Sequence, residues 1–301
     1  MKLFAKVLAM GAVGAVLTAF LWTDKFDSGS LKGARVLVTG ASTGIGEQMA
    51  YHYARFGAQI VITARREHVL QQATEKCASL GAQMVLYIAA DMAHPSDPHR
   101  VVKFAVDKLG RNKLMELLSL AFVFAGGLDY LVLNHIGSSP FAIWDGDVEH
   151  TRWLMQVNFL SYLQMTAAAL PSLEHSRGSA IVVSSLLGKM SSPFAGPYAA
   201  TKFALSGFFG SLRHELSMRN SNVTISMCFL GLIDTQSAME KIRGYTNMTA
   251  HPASEAALHI IKAGATQQWE TFYPWTLYPL ISTRDMIPFV WDFIIWNIYR
   301  Y

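Results

Sequence analysis

Short apolar runs recur along the chain, each bounded by turn residues and followed by a stretch with helical spacing. Six of them have the length and side chains of buried strands: Val36–Thr39, Gln59–Thr63, Met84–Ile88, Tyr130–Asn134, Ala180–Ser184 and Val223–Phe229. Helical segments, such as Glu47 to Phe56, separate them. Strand and helix alternating in this way predict an α/β fold, a single Rossmann-type doubly wound parallel sheet with helices on both faces. Nothing between the runs reads as a linker and no repeat is visible, so one domain is expected over residues 31–265.

Two apolar stretches flank that domain. Val7 to Trp22 is uncharged, follows Lys2 and Lys6 and stops before Asp24, which is the layout of a signal sequence. It falls just short of a comfortable membrane span. Bulky residues in Thr18-Ala-Phe-Leu-Trp occupy the place where a signal peptidase needs small ones. Residues 1–30 are therefore expected to be an uncleaved membrane anchor plus a short linker; the alternative is a cleaved signal peptide and a secreted protein. Positive charges before the run place the N-terminus in the cytosol and the domain in the lumen of the endoplasmic reticulum. At the other end, residues 266–301 form an aromatic extension, with Trp, Tyr and Phe dense from Trp269 to Tyr301. Three readings are open there: a wall around a hydrophobic substrate, a surface at the lipid interface, or a helix at a dimer seam.

Composition narrows the class. Apolar residues make up 51% of the chain and charged residues only 15%, lean for a freely soluble enzyme. The net charge of +4 is mild, and no basic cluster points to nucleic acid; a membrane surface suits it better. Cys77 and Cys228 read as unpaired buried thiols, and no metal site is expected. Asn222-Val-Thr and Asn247-Met-Thr are glycosylation sequons, in keeping with lumenal exposure.

The first chemical motif joins the strand at Val36 to the helix at Glu47. In Gly33-Ala-Arg-Val-Leu-Val-Thr-Gly-Ala-Ser-Thr-Gly-Ile-Gly, the glycines Gly40, Gly44 and Gly46 let the backbone approach a pyrophosphate at a helix N-terminus. Ser42, Thr43 and Ile45 lie in the same turn. Near the end of the second strand, where an NAD enzyme carries a carboxylate for the ribose, the chain reads Thr63-Ala-Arg65-Arg66. Guanidinium groups bind a 2′-phosphate bidentately, so the cofactor expected is NADP(H). The second motif is Tyr198-x-x-x-Lys202, with Ser185 upstream. Tyrosine and lysine one helical turn apart share a face, and a cation near a phenol lowers its pKa toward that of a usable base. Ser185 ends a buried strand, where its hydroxyl would steady the oxygen of a reacting alcohol or carbonyl.

Together with Asn134-His-Ile-Gly and Asn158, these motifs make the chain resemble a short-chain dehydrogenase/reductase from about Leu31 to about Ala265. Within that family it looks most like the 11-beta-hydroxysteroid dehydrogenase type 1 branch, "type 1-like" members included. The stretches Met155-Gln-Val-Asn-Phe-Leu-Ser-Tyr, Val182-Val-Ser-Ser-Leu-Leu-Gly-Lys and Leu230-Gly-Leu-Ile-Asp-Thr carry the likeness. The resemblance implies hydride transfer between a nicotinamide and the secondary alcohol or ketone of a steroid-like lipophilic substrate. Tyr198 would move the proton, Lys202 would lower its pKa and bond the ribose, Ser185 and Tyr198 would hold the substrate oxygen, and Asn158 would anchor a water leading from Lys202 to solvent. It further implies that Asp91 and Met92 flank the adenine, with Asp91 buried and capping its amino group. Asn134, His135 and Ile136 would line the cofactor, and Ile233 and Thr235 would contact the nicotinamide amide. His135 is read as local packing rather than a second base. Thr43 replaces a lysine that relatives often have, and Leu230 replaces a proline. Relatives have almost nothing where this chain has Arg111–Gly126, an atypical apolar insert that resembles a retained intron or, alternatively, a helix extension or membrane-touching hairpin. It should spare the site. A homodimer is expected. The competing reading from another class is a catalytically idle dinucleotide-binding scaffold on a membrane.

Overall fold

The computed structural model describes residues 26–110, 127–246, 248–284 and 288–299. The anchor expected in residues 1–30 (apart from its last five residues), the insert at 111–126 and the sequon residue Asn247 lie outside the described residues. All six expected strands form, within a residue or two of their expected ends: β1 (Arg35–Thr39), β2 (Gln59–Ala64), β3 (Met84–Ala89), β4 (Tyr130–Leu133), β5 (Ser179–Ser185) and β6 (Thr224–Leu230). Two short strands, β7 (Ile233–Asp234) and β8 (His251–Pro252), pair with each other outside the main sheet. A further strand, β9 (Glu270–Tyr273), pairs in parallel with β6. The main sheet is seven-stranded and parallel, in the order β3-β2-β1-β4-β5-β6-β9. Its seventh strand lies past residue 265, inside the stretch expected to be an aromatic extension, so the sheet itself runs on to Tyr273.

Helices cover both faces. On one face lie α1 (Gly44–Arg55), α2 (Glu67–Leu80) and, further along the chain, Ala253–Ala265; they bury Val36, Val38, Ile60, Val132 and Ile181. The opposite face buries Leu37, Val61, Leu131, Val182 and Met227 beneath α3 (Asp97–Leu109), the helix Ser161–Ser176 and the long helix Gly196–Met218. With the helices at 148–155 (α4), 161–176 (α5), 196–218 (α6), Gln236–Ile242 (α7) and 253–265 (α8) numbered in order, the last two are α9 (Leu277–Thr283) and α10 (Pro288–Ile298). Alternating strand residues face opposite layers, and both layers are apolar, as a sheet covered on two sides requires. Strand order reverses between β1 and β4, so a crevice opens above their C-terminal ends. Gly110 and Gly127, which bracket the undescribed insert, sit at the opposite end, before β4.

Candidate active site and dinucleotide groove

The glycine turn fills one side of that crevice. Gly40 and Gly44 adopt φ of 65° and 62°, which an L-residue avoids. Gly46 is needed for another reason: a Cβ there would lie 2.2 Å from the Gly40 carbonyl oxygen, so only glycine lets α1 approach the strand. Asn134 braces the turn, its Nδ2 donating to the Thr39 and Gly40 carbonyls at 3.1 and 3.4 Å. The bared N-terminus of α1 is a cradle for a phosphate, with Ser42, Thr43 and Ile45 on the same groove wall. This is the donor set a dinucleotide pyrophosphate demands. Arg65 and Arg66 follow β2 at the far end of the groove, and Arg66 Nη2 donates to Ser42 Oγ at 3.4 Å. Neither arginine makes an ion pair among the described residues.

Met92 is buried in the groove floor, but Asp91 departs from expectation. It is exposed, not buried, and Asp91 Oδ1 accepts from Ala93 N at 3.0 Å, closing its own turn. His135 is buried between Thr39 Oγ1, 2.9 Å from Nδ1, and Ser161 Oγ, 2.7 Å from Nε2. Burial, with the Lys202 charge nearby, pushes its pKa down to about 3, so the ring is neutral and structural. Ile136 is 48% exposed and lines both the groove and the adjoining cavity. Ile233 is buried, and Thr235 caps α7 by accepting from Ala238 N at 3.3 Å.

A second hollow of about 290 Å³ adjoins the groove, and Ser185, Tyr198 and Lys202 meet on its wall. Ser185 reaches it from the end of β5; Tyr198 and Lys202 reach it from the first turns of α6. Ser185 Oγ accepts from Leu187 N at 3.2 Å, on the same cavity wall as the Tyr198 phenol. The phenol behaves against expectation. Burial pushes the Tyr198 pKa up to about 12, although the Ser185 hydroxyl pulls the other way. Lys202 Nζ donates to the Val183 carbonyl at 2.9 Å and stands 5.6 Å from the Tyr198 ring centre, so its charge is spent on the strand. Desolvation lowers its own pKa to about 7.

Asn158 is fully buried in a π-helical segment, Gln156–Leu160, between α4 and α5. Such bulges break the helical register at functional sites. Its Oδ1 accepts from Gly137 N at 2.7 Å and its Nδ2 donates to Thr201 Oγ1 at 3.2 Å. Thr201 in turn donates to the Tyr198 carbonyl at 2.7 Å. Asn158 thus ties the β4 loop to the helix that carries the tyrosine, a contact with no counterpart in the expected water relay.

Sequence reasoning missed most of the cavity wall. Phe141, Leu187, Leu232, Met248 and Tyr299 form it, with Lys241 at one side. Tyr299 comes from beyond α10 and bridges to Thr246, packing near Phe141 and Phe194. Of the three readings of the aromatic extension, the substrate wall has a residue behind it.

The family model for short chain dehydrogenases matches residues 34–246. A zebrafish (Danio rerio) protein named hydroxysteroid 11-beta-dehydrogenase 1-like protein is 60% identical over 301 residues, 100% of this chain and 99% of that one. The chicken (Gallus gallus) protein of that name is 59% identical over 288 residues, 96% and 95% of the two chains. In fold, the chain is similar to a Burkholderia phymatum short chain dehydrogenase/reductase solved with NAD, with TM-score 0.73 and 16% identity over 86% of this chain and 95% of that one. A Burkholderia cenocepacia short chain dehydrogenase solved with NADP gives TM-score 0.67 and 23% identity over 80% and 95%. With fold, glycine turn and Ser-Tyr-Lys cluster in agreement, the chain belongs to the short-chain dehydrogenase/reductase family of oxidoreductases, in the branch of the hydroxysteroid 11-beta-dehydrogenase 1-like proteins.

Proposed function

We propose that the protein is an NADP(H)-dependent oxidoreductase that interconverts a ketone and a secondary alcohol on a lipophilic, steroid-like molecule. The observation that carries this reading is the convergence of Ser185 and Tyr198 where the dinucleotide groove opens into an apolar cavity. NADP(H), when bound, supplies or accepts the hydride. The chain's own groups manage the oxygen and its proton. Two hydroxyls, Ser185 and Tyr198, line the cavity together, so a substrate oxygen placed between them is held by both. Burial keeps the Tyr198 phenol protonated at neutral pH, which suits it to donate to a carbonyl oxygen. Gly137, Asn158 and Thr201 hold Tyr198 in place from behind.

Arg65 and Arg66 support NADP(H). They line the groove just past β2, and the groove's carboxylates, Glu47, Asp91 and Glu240, come from α1, the turn after β3 and α7. Replacing both arginines with alanine should raise the Kd for NADPH far more than for NADH, by about 1.5–3 kcal/mol per lost contact. Equal losses would assign the arginines to the adenine or the fold.

Residence at the endoplasmic reticulum membrane, with the domain in the lumen, is supported by Lys2 and Lys6 before the apolar run and by the exposed Trp275, Phe289, Phe293 and Trp296. The deciding experiment is a turnover screen of the purified protein with NADP(H) and NAD(H) against steroids, retinoids and simple carbonyls. Turnover of a bulky apolar ketone with NADPH supports the reading. Tight cofactor binding with no turnover of any of them would replace it with the idle scaffold.

A further inference from the structure

The residues lining the catalytic cavity include two lysines and no aspartate or glutamate. One of them, Lys202, is committed to the Val183 carbonyl. The other, Lys241, makes no hydrogen bond or ion pair among the described residues. Its neighbour Glu240 accepts from Gln236 Nε2 at 2.9 Å. Lys241 lines the cavity, the dinucleotide groove and a shallow hollow formed by Ser138, Ser139, Pro140, His150 and Trp153. It therefore stands where α7 meets the loop after β4, at the rim of the cleft.

Burial lowers the pKa of Lys241, the mark of a cation that has lost water without gaining a counter-charge. Much of the rest of the wall is apolar, with Phe141, Leu232 and Met248 among it. An apolar body with one negative group answers both features. We infer that the cavity takes an amphipathic ketone or alcohol bearing a carboxylate or sulfate, which Lys241 binds. This rests on the carbonyl-reductase reading and adds the substrate's charge to it. The phosphates of the cofactor are the poorer partner: Thr235, at the start of α7, abuts Gly44 of the phosphate turn, and Lys241 lies six residues on, about 9 Å along the helix axis.

The test is equilibrium binding, so it does not depend on turnover. A keto-steroid with a side-chain carboxylate and its methyl ester are titrated by calorimetry into the full-length protein saturated with NADP+, which has no hydride to give a ketone; a keto-steroid sulfate and its methyl ether form a second pair. The wild type should hold each anion about tenfold more tightly than its neutral partner, with the preference falling as salt rises. Lys241→Met should abolish the preference and Lys241→Glu should invert it. Neutral ligands should bind with similar affinity to wild type and Lys241→Met, which shows that both are folded. Equal affinities for acid and ester in the wild type overturn the inference and leave the reductase reading standing. So does a loss of NADPH affinity in Lys241→Met without any change in acid-to-ester preference, since that would give the lysine to the cofactor.

Discussion

Lys202 and Tyr198 are both driven toward their uncharged forms by the same burial, and that has a consequence for stability. Lysine is ordinarily protonated up to 10.5, but here the folded protein releases the proton near 7. Below that value the folded protein carries a desolvated cation and the penalty is complete. Between 7 and 10.5 the unfolded chain binds more protons than the folded one, so stability rises with pH until the penalty is gone. Lys202→Met should accordingly melt several degrees above wild type at neutral pH, with the gap closing toward pH 10. Calorimetry of both proteins across that range checks it; a constant gap would mean that packing and not charge separates them. Tyr198→Phe keeps the ring and deletes the proton. It should cut turnover by more than about a hundredfold while leaving the NADPH dissociation constant nearly unchanged.

At the scale of elements, the contact between α1 and the first strand depends on one missing methyl. Gly46→Ala forces a Cβ against the Gly40 carbonyl oxygen at 2.2 Å, which the backbone must move to relieve. A cost of about 1–3 kcal/mol is expected, with dinucleotide affinity lost alongside, and denaturant unfolding with a cofactor titration measures both. The six strands over 35–230 were legible because runs such as Val36-Leu-Val and Ile181-Val-Val are continuous and β-branched, as a sheet buried on two faces needs. Glu270-Thr-Phe-Tyr was not: it is an edge strand, short and half polar, embedded in an aromatic stretch that masks its alternation. The π-helical turn at Asn158 left no trace in the sequence, since only Gly137 N and Thr201 Oγ1 across space give it a reason to form. Spacing placed Tyr198 beside Lys202 correctly. It did not show that Val183 would claim the ammonium, because burial and backbone acceptors lie outside any sequence period.

On the scale of the whole molecule, large apolar side chains stay exposed in the C-terminal segment and in the loop after β4. Trp275, Phe289, Phe293 and Trp296 are exposed, and so are Ile143 and Trp144 just beyond Phe141. No helix among the described residues is long and apolar enough to cross a membrane. If the anchor proposed for residues 1–30 holds the protein, carbonate extraction of microsomes should leave it in the pellet. Recovery in the supernatant, with a new N-terminus near Trp22, would sink the anchor in favour of a cleaved signal. The tie between Tyr299 and Thr246 sets up a reciprocity there. Beside that backbone bridge, the Tyr299 side chain lines the cavity and packs against Phe141 and Phe194 at the end of the last helix, so filling the cavity and holding that helix share a coupling free energy. Whatever immobilises α10, a bilayer included, must tighten ligand binding by the same factor by which the ligand secures α10. Tyr299→Ala should uncouple them: added ligand would then no longer protect the helix from limited proteolysis.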